Sequence, residues 1–248
     1  MLVKKDKCVM CGKCVPYCPM GCIVERDGSM DIDLDECVEC GICKRDVRCP
    51  TDAFEAPPLE MPRFIRGAFS NPFVRHKNQE GGRGTEEVKT NDVTGVVNSL
   101  DKVEIGIEMG RPSLGARFRD VEIMTKVVSK FDITFADHNP MTALIVNKKT
   151  GEIDPTVLDE KVLSCIIEFE AHTHDLPNIL DAIRDASRQL VNTVFSLCVI
   201  CKVDENDNTI VETEVVKKGF GIHAASSKTN LGLGRPRYED RVKGGAPQ

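Results

Sequence analysis

The chain has no apolar run that approaches the ~20 residues needed to cross a membrane as a helix. Its start, Met1 to Lys5, lacks the apolar stretch of a secretory signal. Positive charge is in deficit: 33 Lys and Arg stand against 39 Asp and Glu, a formal net charge of -6. The basic surface expected of a nucleic-acid binder is therefore missing. No G-x-G-x-x-G follows a strand and opens a helix, so a nicotinamide-binding fold is not supported, and no flavin-binding pattern is evident. Cysteine, by contrast, is abundant, with twelve in 248 residues. Without a secretory signal, that many thiols points to a reducing cytoplasm, where disulfides do not persist.

Eight of the cysteines form two copies of one pattern, each ending in Cys-Pro. The first is Cys8-x2-Cys11-x2-Cys14-x3-Cys18-Pro19, and the second is Cys37-x2-Cys40-x2-Cys43-x5-Cys49-Pro50. Zinc sites also use Cys-x2-Cys pairs, but two triplets with two distant Cys-Pro partners is not the spacing of a four-cysteine ribbon. The pattern is that of iron–sulfur ligation in bacterial ferredoxins, in which the fourth cysteine of each run serves the other cluster. Three thiolates on one tight loop can cap three corners of a cubane. Gly12 and Gly41, each directly after the second cysteine, allow the close turn. A short helix after Cys14 carries Cys18 away from its own loop, and the proline that follows stops the turn. Two [4Fe–4S] clusters are expected, one on Cys8, Cys11, Cys14 and Cys49, the other on Cys37, Cys40, Cys43 and Cys18. Such a set moves electrons one at a time. Clusters this close to solvent oxidise easily, which suits an anaerobic host. Cys22 is extra, and its expected role is that of a small buried hydrophobe rather than a ligand.

Residues 1–56 resemble the clostridial-type ferredoxins with two [4Fe–4S] clusters. The resemblance lies in the Cys-Val-x-Cys-Gly openings at Cys8 and Cys37 and in the Asp-x-Asp-x-Asp-Glu-Cys approach to Cys37. It departs between Cys43 and Cys49, where Lys44 to Arg48 make a five-residue spacer instead of three, read here as a local loop.

About 56 residues bury too little apolar surface to be robust alone, so the clusters must staple this domain. The rest of the chain is long enough for one further core. Residues 57–92 read as an extended linker and docking arm. Pro57, Pro58, Pro62 and Pro72 break regular structure, while Met61, Phe64, Ile65, Phe69 and Phe73 are too apolar for a solvated linker. Arg63, Arg66, Arg75, His76, Lys77 and Arg83 add positive charge suited to an acidic partner surface.

Residues 93–205 alternate strand and helix patterns. Strands are predicted over Lys102 to Met109, Asp132 to Ala136, Met141 to Val146, Val162 to Glu170 and Thr193 to Val203. Helices are predicted over Arg117 to Lys130 and Leu176 to Leu190. The expected fold class is α+β: a two-cluster ferredoxin domain, an arm, and a split β-α-β (ferredoxin-like) sandwich with one added strand. Residues 206–248, rich in glycine, read as a loose tail that packs in part.

Other candidate sites are weaker. Gly110 to Gly115 has phosphate-loop spacing, but Ala116 and Arg117 stand where Lys and Ser or Thr are required. An anion held by Arg111, Arg117 and Arg119 at the following helix start remains open, against a plain glycine turn. Cys198 and Cys201 fall on opposite faces of a strand and, with Cys165, read as packing residues. His172 and His174 share a face only if the strand extends that far.

The arm and second domain are similar to a region of 6-hydroxynicotinate reductase-type proteins, on Gly82 to Gly95 and the Gly-Arg-Pro triplets at Gly110 and Gly234. This resemblance implies a ferredoxin segment placed ahead of further domains. The chain is short for a complete reductase of that kind, which favours a separate catalytic partner. The expected function is thus a non-catalytic electron-transfer subunit bound to a flavin- or metal-containing oxidoreductase in a hetero-oligomer. The competing expectations are a self-contained reductase with substrate in the second domain, a redox sensor, and a component of an anaerobic sulfur-transfer system.

Overall fold

The computed structural model describes residues 1–74, 99–111, 114–137, 139–206, 208–211, 215 and 219. The N-terminal lobe is built from two small antiparallel ribbons. Strand β1 (Leu2–Val3) pairs with β4 (Phe54–Glu55), and β2 (Ile23–Arg26) pairs with β3 (Ser29–Ile32). The second ribbon turns through Asp27 and Gly28, both at positive φ (49° and 71°), the two-residue geometry that matches strand twist. A one-turn helix, α1 (Ile42–Arg45), follows Gly41. The lobe's core is Met1, Ile23, Met30, Ile32, Val47 and Phe54, together with the buried cysteines Cys14, Cys22 and Cys37.

The second module holds a four-stranded, fully antiparallel sheet. Strand β5 (Lys102–Met109) leads to β6 (Ala116–Arg117), α3 (Phe118–Val128) and β7 (Ile133–Phe135). Then come β8 (Ile145–Asn147), β9 (Glu152–Ile153), β10 (Lys161–Val162), β11 (Cys165–His172), α4 (Leu176–Ser187) and β12 (Phe195–Cys201). The sheet order is β12-β5-β11-β7. Period two in β5 sends Val103, Ile105, Ile107 and Met109 to one face, where they are fully buried with Phe118, Val121 and Met124 of α3 and Leu176, Ile179 and Ile183 of α4. Each large side chain so buried contributes roughly 1.5–3 kcal/mol of transfer free energy. The opposite face buries the acids Glu104, Glu108 and Glu168, and Asn139 Nδ2 donates to Glu168 at 2.6 Å. No helix among the described residues is long and apolar enough to cross a membrane.

Three expectations need correction. The strand expected over Met141 to Val146 is a 3-10 turn at Thr142–Leu144 followed by β8, which pairs with β9 outside the main sheet. Its buried residues Met141, Leu144 and Ile145 recur at helical rather than alternating spacing, and Asn139 Oδ1 accepts from Met141 N at 2.6 Å to start the turn. The strand expected over Val162 to Glu170 is broken at Leu163 and Ser164, where the Leu163 N–H leaves the ladder to donate to Ser70 Oγ at 2.9 Å.

The arm is not extended throughout. Phe64–Ser70 forms helix α2, with Ile65, Ala68 and Phe69 buried at i, i+3, i+4 spacing. Phe69 meets Phe118 edge-to-face at 5.5 Å, whereas Phe73 is 74% exposed and lies 5.0 Å from the Arg45 guanidinium. Residues 75–92 of the arm, with Arg75, His76, Lys77 and Arg83, lie outside the described residues, as do residues 93–98. Most of the expected tail does too, but Ile210, Val211 and Val215 pack on the second module's core.

Candidate metal centre

The two cysteine loops share one backbone design. In the first, Met10 and Gly12 have φ of 56° and 68°; in the second, Glu39 and Gly41 have φ of 55° and 75°. Left-handed backbone at a non-glycine residue costs of the order of 1–2 kcal/mol, so Met10 and Glu39 hold a strained geometry that the folded loops impose. The segments after Cys18 and Cys49 match each other as well. Gly21 N donates to Cys18 O, and Asp52 N donates to Cys49 O, each at 3.2 Å. Ala53 N donates to Cys49 Sγ at 3.4 Å.

These loops enclose two cavities. The first, about 360 Å³ of open space, is lined by Cys8, Cys11 and Cys14 of the first run and Cys49 of the second. The second, about 340 Å³, is lined by Cys37, Cys40 and Cys43 of the second run and Cys18 of the first. The chain crosses over between the two because the β1–β4 and β2–β3 ribbons bring the end of each run beside the opposite loop. The remaining walls are mostly apolar: Val3, Met30, Val47 and Phe54 around the first, which Lys13 and Thr51 also line, and Met1, Ile23, Ile32 and Val38 around the second. Among the described residues, no three His, Cys, Asp or Glu side chains form a group suited to a single metal ion. A wall whose polar atoms are mainly thiols, four of them converging from two loops, fits an iron–sulfur cluster. Thiolates are the soft donors such a cluster takes.

The thiols differ in how readily they become ligands. Cys8 is lowered by the backbone N–H groups of Met30 and Met10. At Cys49 burial works against the thiolate, but the N–H groups of Ala53 and Thr51 bring its pKa down. Burial raises Cys14 and Cys40 and pushes Cys43 up to about 12. Cys18 and Cys37 are lowered chiefly by a hydrogen bond from Cys22, whose own pKa is raised in return. Cys22 lines the second cavity, with its Sγ 3.3 Å from Cys18 Sγ. Sequence reasoning treated Cys22 as filler. The signal was present, because Cys22 stands four residues after Cys18, where Ala53 stands after Cys49.

Beside the second cavity, Glu39 carried no signal in the sequence, and Arg66, expected to face a partner, is turned inward. Glu39 is buried in the second loop and accepts from the Met1 ammonium at 2.6 Å and from Arg63 Nη2 at 2.6 Å. Arg66, only 4% exposed, donates from Nη1 to the carbonyls of Leu34, Asp35 and Cys37 at 3.0, 2.7 and 2.9 Å, and pairs with Glu160.

The proposed anion residues do not converge. Arg111 pairs with Glu108 at 3.1 Å, Arg117 with Asp35 and Glu36 at 2.7 and 2.8 Å, and Arg119 with Asp159. Arg117 serves instead as a strut between the modules. His172 ends β11 and His174 lies in the following 3-10 turn, their rings stacked at 5.3 Å. Cys165 is buried in the core, and Cys201 packs against it. Cys198, on the same strand as Cys201, approaches Gly106 O at 3.6 Å.

Comparison with known proteins bears on this lobe. The family model for the 4Fe-4S binding domain matches residues 1–24. A ferredoxin of Rickettsia felis is 35% identical over 77 residues, 30% of this chain and 67% of its own length. Pyruvate synthase subunit PorD of Methanothermobacter marburgensis is 45% identical over 51 residues, 21% of this chain and 57% of its own. The delta subunit of NADH-dependent phenylglyoxylate dehydrogenase of Aromatoleum evansii is 43% identical over 49 residues, 20% of this chain and 50% of its own. The chain thus spans only about half to two thirds of these relatives. No solved structure matches it. Through its N-terminal 4Fe-4S domain, the chain belongs to the ferredoxin family.

Proposed function

We propose that this chain is the ferredoxin-type subunit of an oxidoreductase complex and relays low-potential electrons through two [4Fe–4S] clusters. Cys8, Cys11, Cys14 and Cys49 would hold one cluster, and Cys37, Cys40, Cys43 and Cys18 the other. The observation that carries the reading is the pair of cavities, each lined by three cysteines of one run and the fourth of the other. When bound, such clusters supply one-electron storage at each cavity. The apolar walls screen the buried sulfurs of Cys14 and Cys37 from water, and the N–H groups directed at Cys8 and Cys49 favour their thiolate forms. The partner is an oxidoreductase subunit, in keeping with the names of two relatives.

The second module is read as a split β-α-β unit. Its antiparallel order β12-β5-β11-β7, with α3 and α4 packed together over one core, supports that reading. Its role is to anchor the ferredoxin lobe in the complex. A self-contained reductase with substrate at Arg111, Arg117 and Arg119 is disfavoured, since each guanidinium is already paired with a carboxylate. The resemblance to 6-hydroxynicotinate reductase-type proteins rests mostly on Gly82 to Gly95 and Gly234, outside the described residues.

Anaerobic affinity purification from the native host, with iron counted, tests the proposal. The expected result is about eight irons per chain and a stoichiometric flavin- or metal-containing partner. A lone chain with the same iron would turn attention to a sensor or a self-contained enzyme.

A further inference from the structure

The two cavities differ in cover and in charge. The ion pairs between the modules gather beside the second cavity, on residues 34–37: Arg66 on three carbonyls there, Arg117 on Asp35 and Glu36, Lys161 on Glu36. The first cavity opens outward. Cys11 is exposed at its mouth, with Val9 59% exposed beside it and Tyr17 50% exposed nearby in sequence. Lys13 lines the same cavity; the cations Lys5, Lys7 and Arg48 stand beside its cysteines in sequence, Lys5 and Lys7 ahead of Cys8 on either side of Asp6, and Arg48 directly ahead of Cys49. All four are exposed, and none is ion-paired among the described residues.

We infer that the mouth of the first cavity is the docking face for an acidic surface of the redox partner, through which electrons enter or leave. This rests on the two-cluster reading above. In a chain of net charge -6, the segments that lead into Cys8 and Cys49 and the loop after Cys11 carry these four cations, with Asp6 among them. There they offset the negative charge of the thiolate-ligated group and attract carboxylates that ring a partner's own redox centre. Exposed Val9 supplies apolar contact once the surfaces meet. A cluster held by Cys8, Cys11, Cys14 and Cys49 would supply one electron at a time to the partner's centre, or accept one from it, across this face.

Charged one-electron acceptors can probe this face on the intact, anaerobically reduced holoprotein. Stopped-flow rates would be measured with the anion iron(III)–EDTA, reduced to iron(II), and with the cation hexaamminecobalt(III), reduced to cobalt(II). The ionic strength would run from about 0.01 M to about 0.5 M, across which the Debye length shrinks from ~30 Å to a few Å. At low ionic strength, Lys5→Glu/Lys7→Glu should slow the anion roughly fivefold and speed the cation, and high salt should erase both effects. Lys130→Glu/Lys149→Glu changes net charge equally on the far module and should leave both rates within about twofold. If the two double variants shift the rates alike, overall charge governs and the docking face is overturned. Iron measured on the same samples separates the failures. About eight irons with rates indifferent to Lys5 and Lys7 overturns the face alone, whereas about four irons overturns the two-cluster reading beneath it.

Discussion

Cys22 is the residue whose role changed most between sequence and structure. Packed as a hydrophobe would be, it nonetheless places its sulfur 3.3 Å from Cys18 and lowers both Cys18 and Cys37 by hydrogen bonding. A donor on a ligand sulfur stabilises the more negative, reduced state of a cluster and so raises its potential. A thiol is a weak donor. At roughly 0.5–1 kcal/mol for the bond, against 59 mV per ~1.4 kcal/mol for one electron, Cys22→Ala should lower the second cluster's potential by about 20–40 mV. The first cluster should not move. An EPR-monitored redox titration that resolves both clusters checks this, and equal shifts in both would point to a global change instead. The crossed ligand sets make a second prediction at this scale. Cys49→Ala should remove the cluster of Cys8, Cys11 and Cys14 although Cys49 belongs to the second run, taking iron from about eight to about four per chain. Retention of that cluster with loss of the other would reverse the assignment.

At the scale of elements, strands that alternate cleanly were legible. Lys102 to Met109 forms β5 with the bounds its period-two pattern indicated, and α3 and α4 lie within the helical patterns read for them. Failures came where burial spacing and strand propensity disagreed. Met141 to Ile145 is apolar enough for a strand but buries the residues of a helical turn. Helix α2 was hidden by surrounding prolines, because the residues that bury its face, Phe118 among them, are distant in sequence.

One element boundary is set by a single contact. Gly151, at φ 74°, closes the β8–β9 turn so tightly that a Cβ would lie 2.3 Å from Thr125 O, and its carbonyl accepts from Thr125 Oγ1 at 2.6 Å. Gly151→Ala combines left-handed strain with a clash against helix backbone. It should destabilise the second module by at least ~2 kcal/mol while iron content stays unchanged. Anaerobic thermal unfolding reports it, and an unshifted Tm would show that the turn can move freely away from α3.

At the scale of the molecule, the ferredoxin lobe and the second module are joined through charge as well as contact. Arg66 is the central link, since one buried guanidinium binds three carbonyls of the second cysteine loop and Glu160 of the other module. Arg66→Met would leave those carbonyls and Glu160 without their shared donor, at a cost of roughly 3–5 kcal/mol for a buried pair broken from one side. The expected signature is selective: iron at the second cavity should be lost to a chelator several times faster than in the parent protein, and iron at the first cavity at the parent rate. Uniform loss from both would mean that Arg66 supports only general stability.

By itself the sequence determined which cysteines are candidate ligands, because the thiol spacing of each run is local and needs only a tight loop and a proline stop. It also determined the main strands and helices, whose periodicity records which face is buried. The tertiary structure alone decided what surrounds those ligands. Cys22 meets Cys18 and Cys37, Arg66 meets the second loop, and Arg111, Arg117 and Arg119 turn to carboxylates. Burial and ion pairing depend on which distant residues arrive at a site, and a linear pattern does not carry that information.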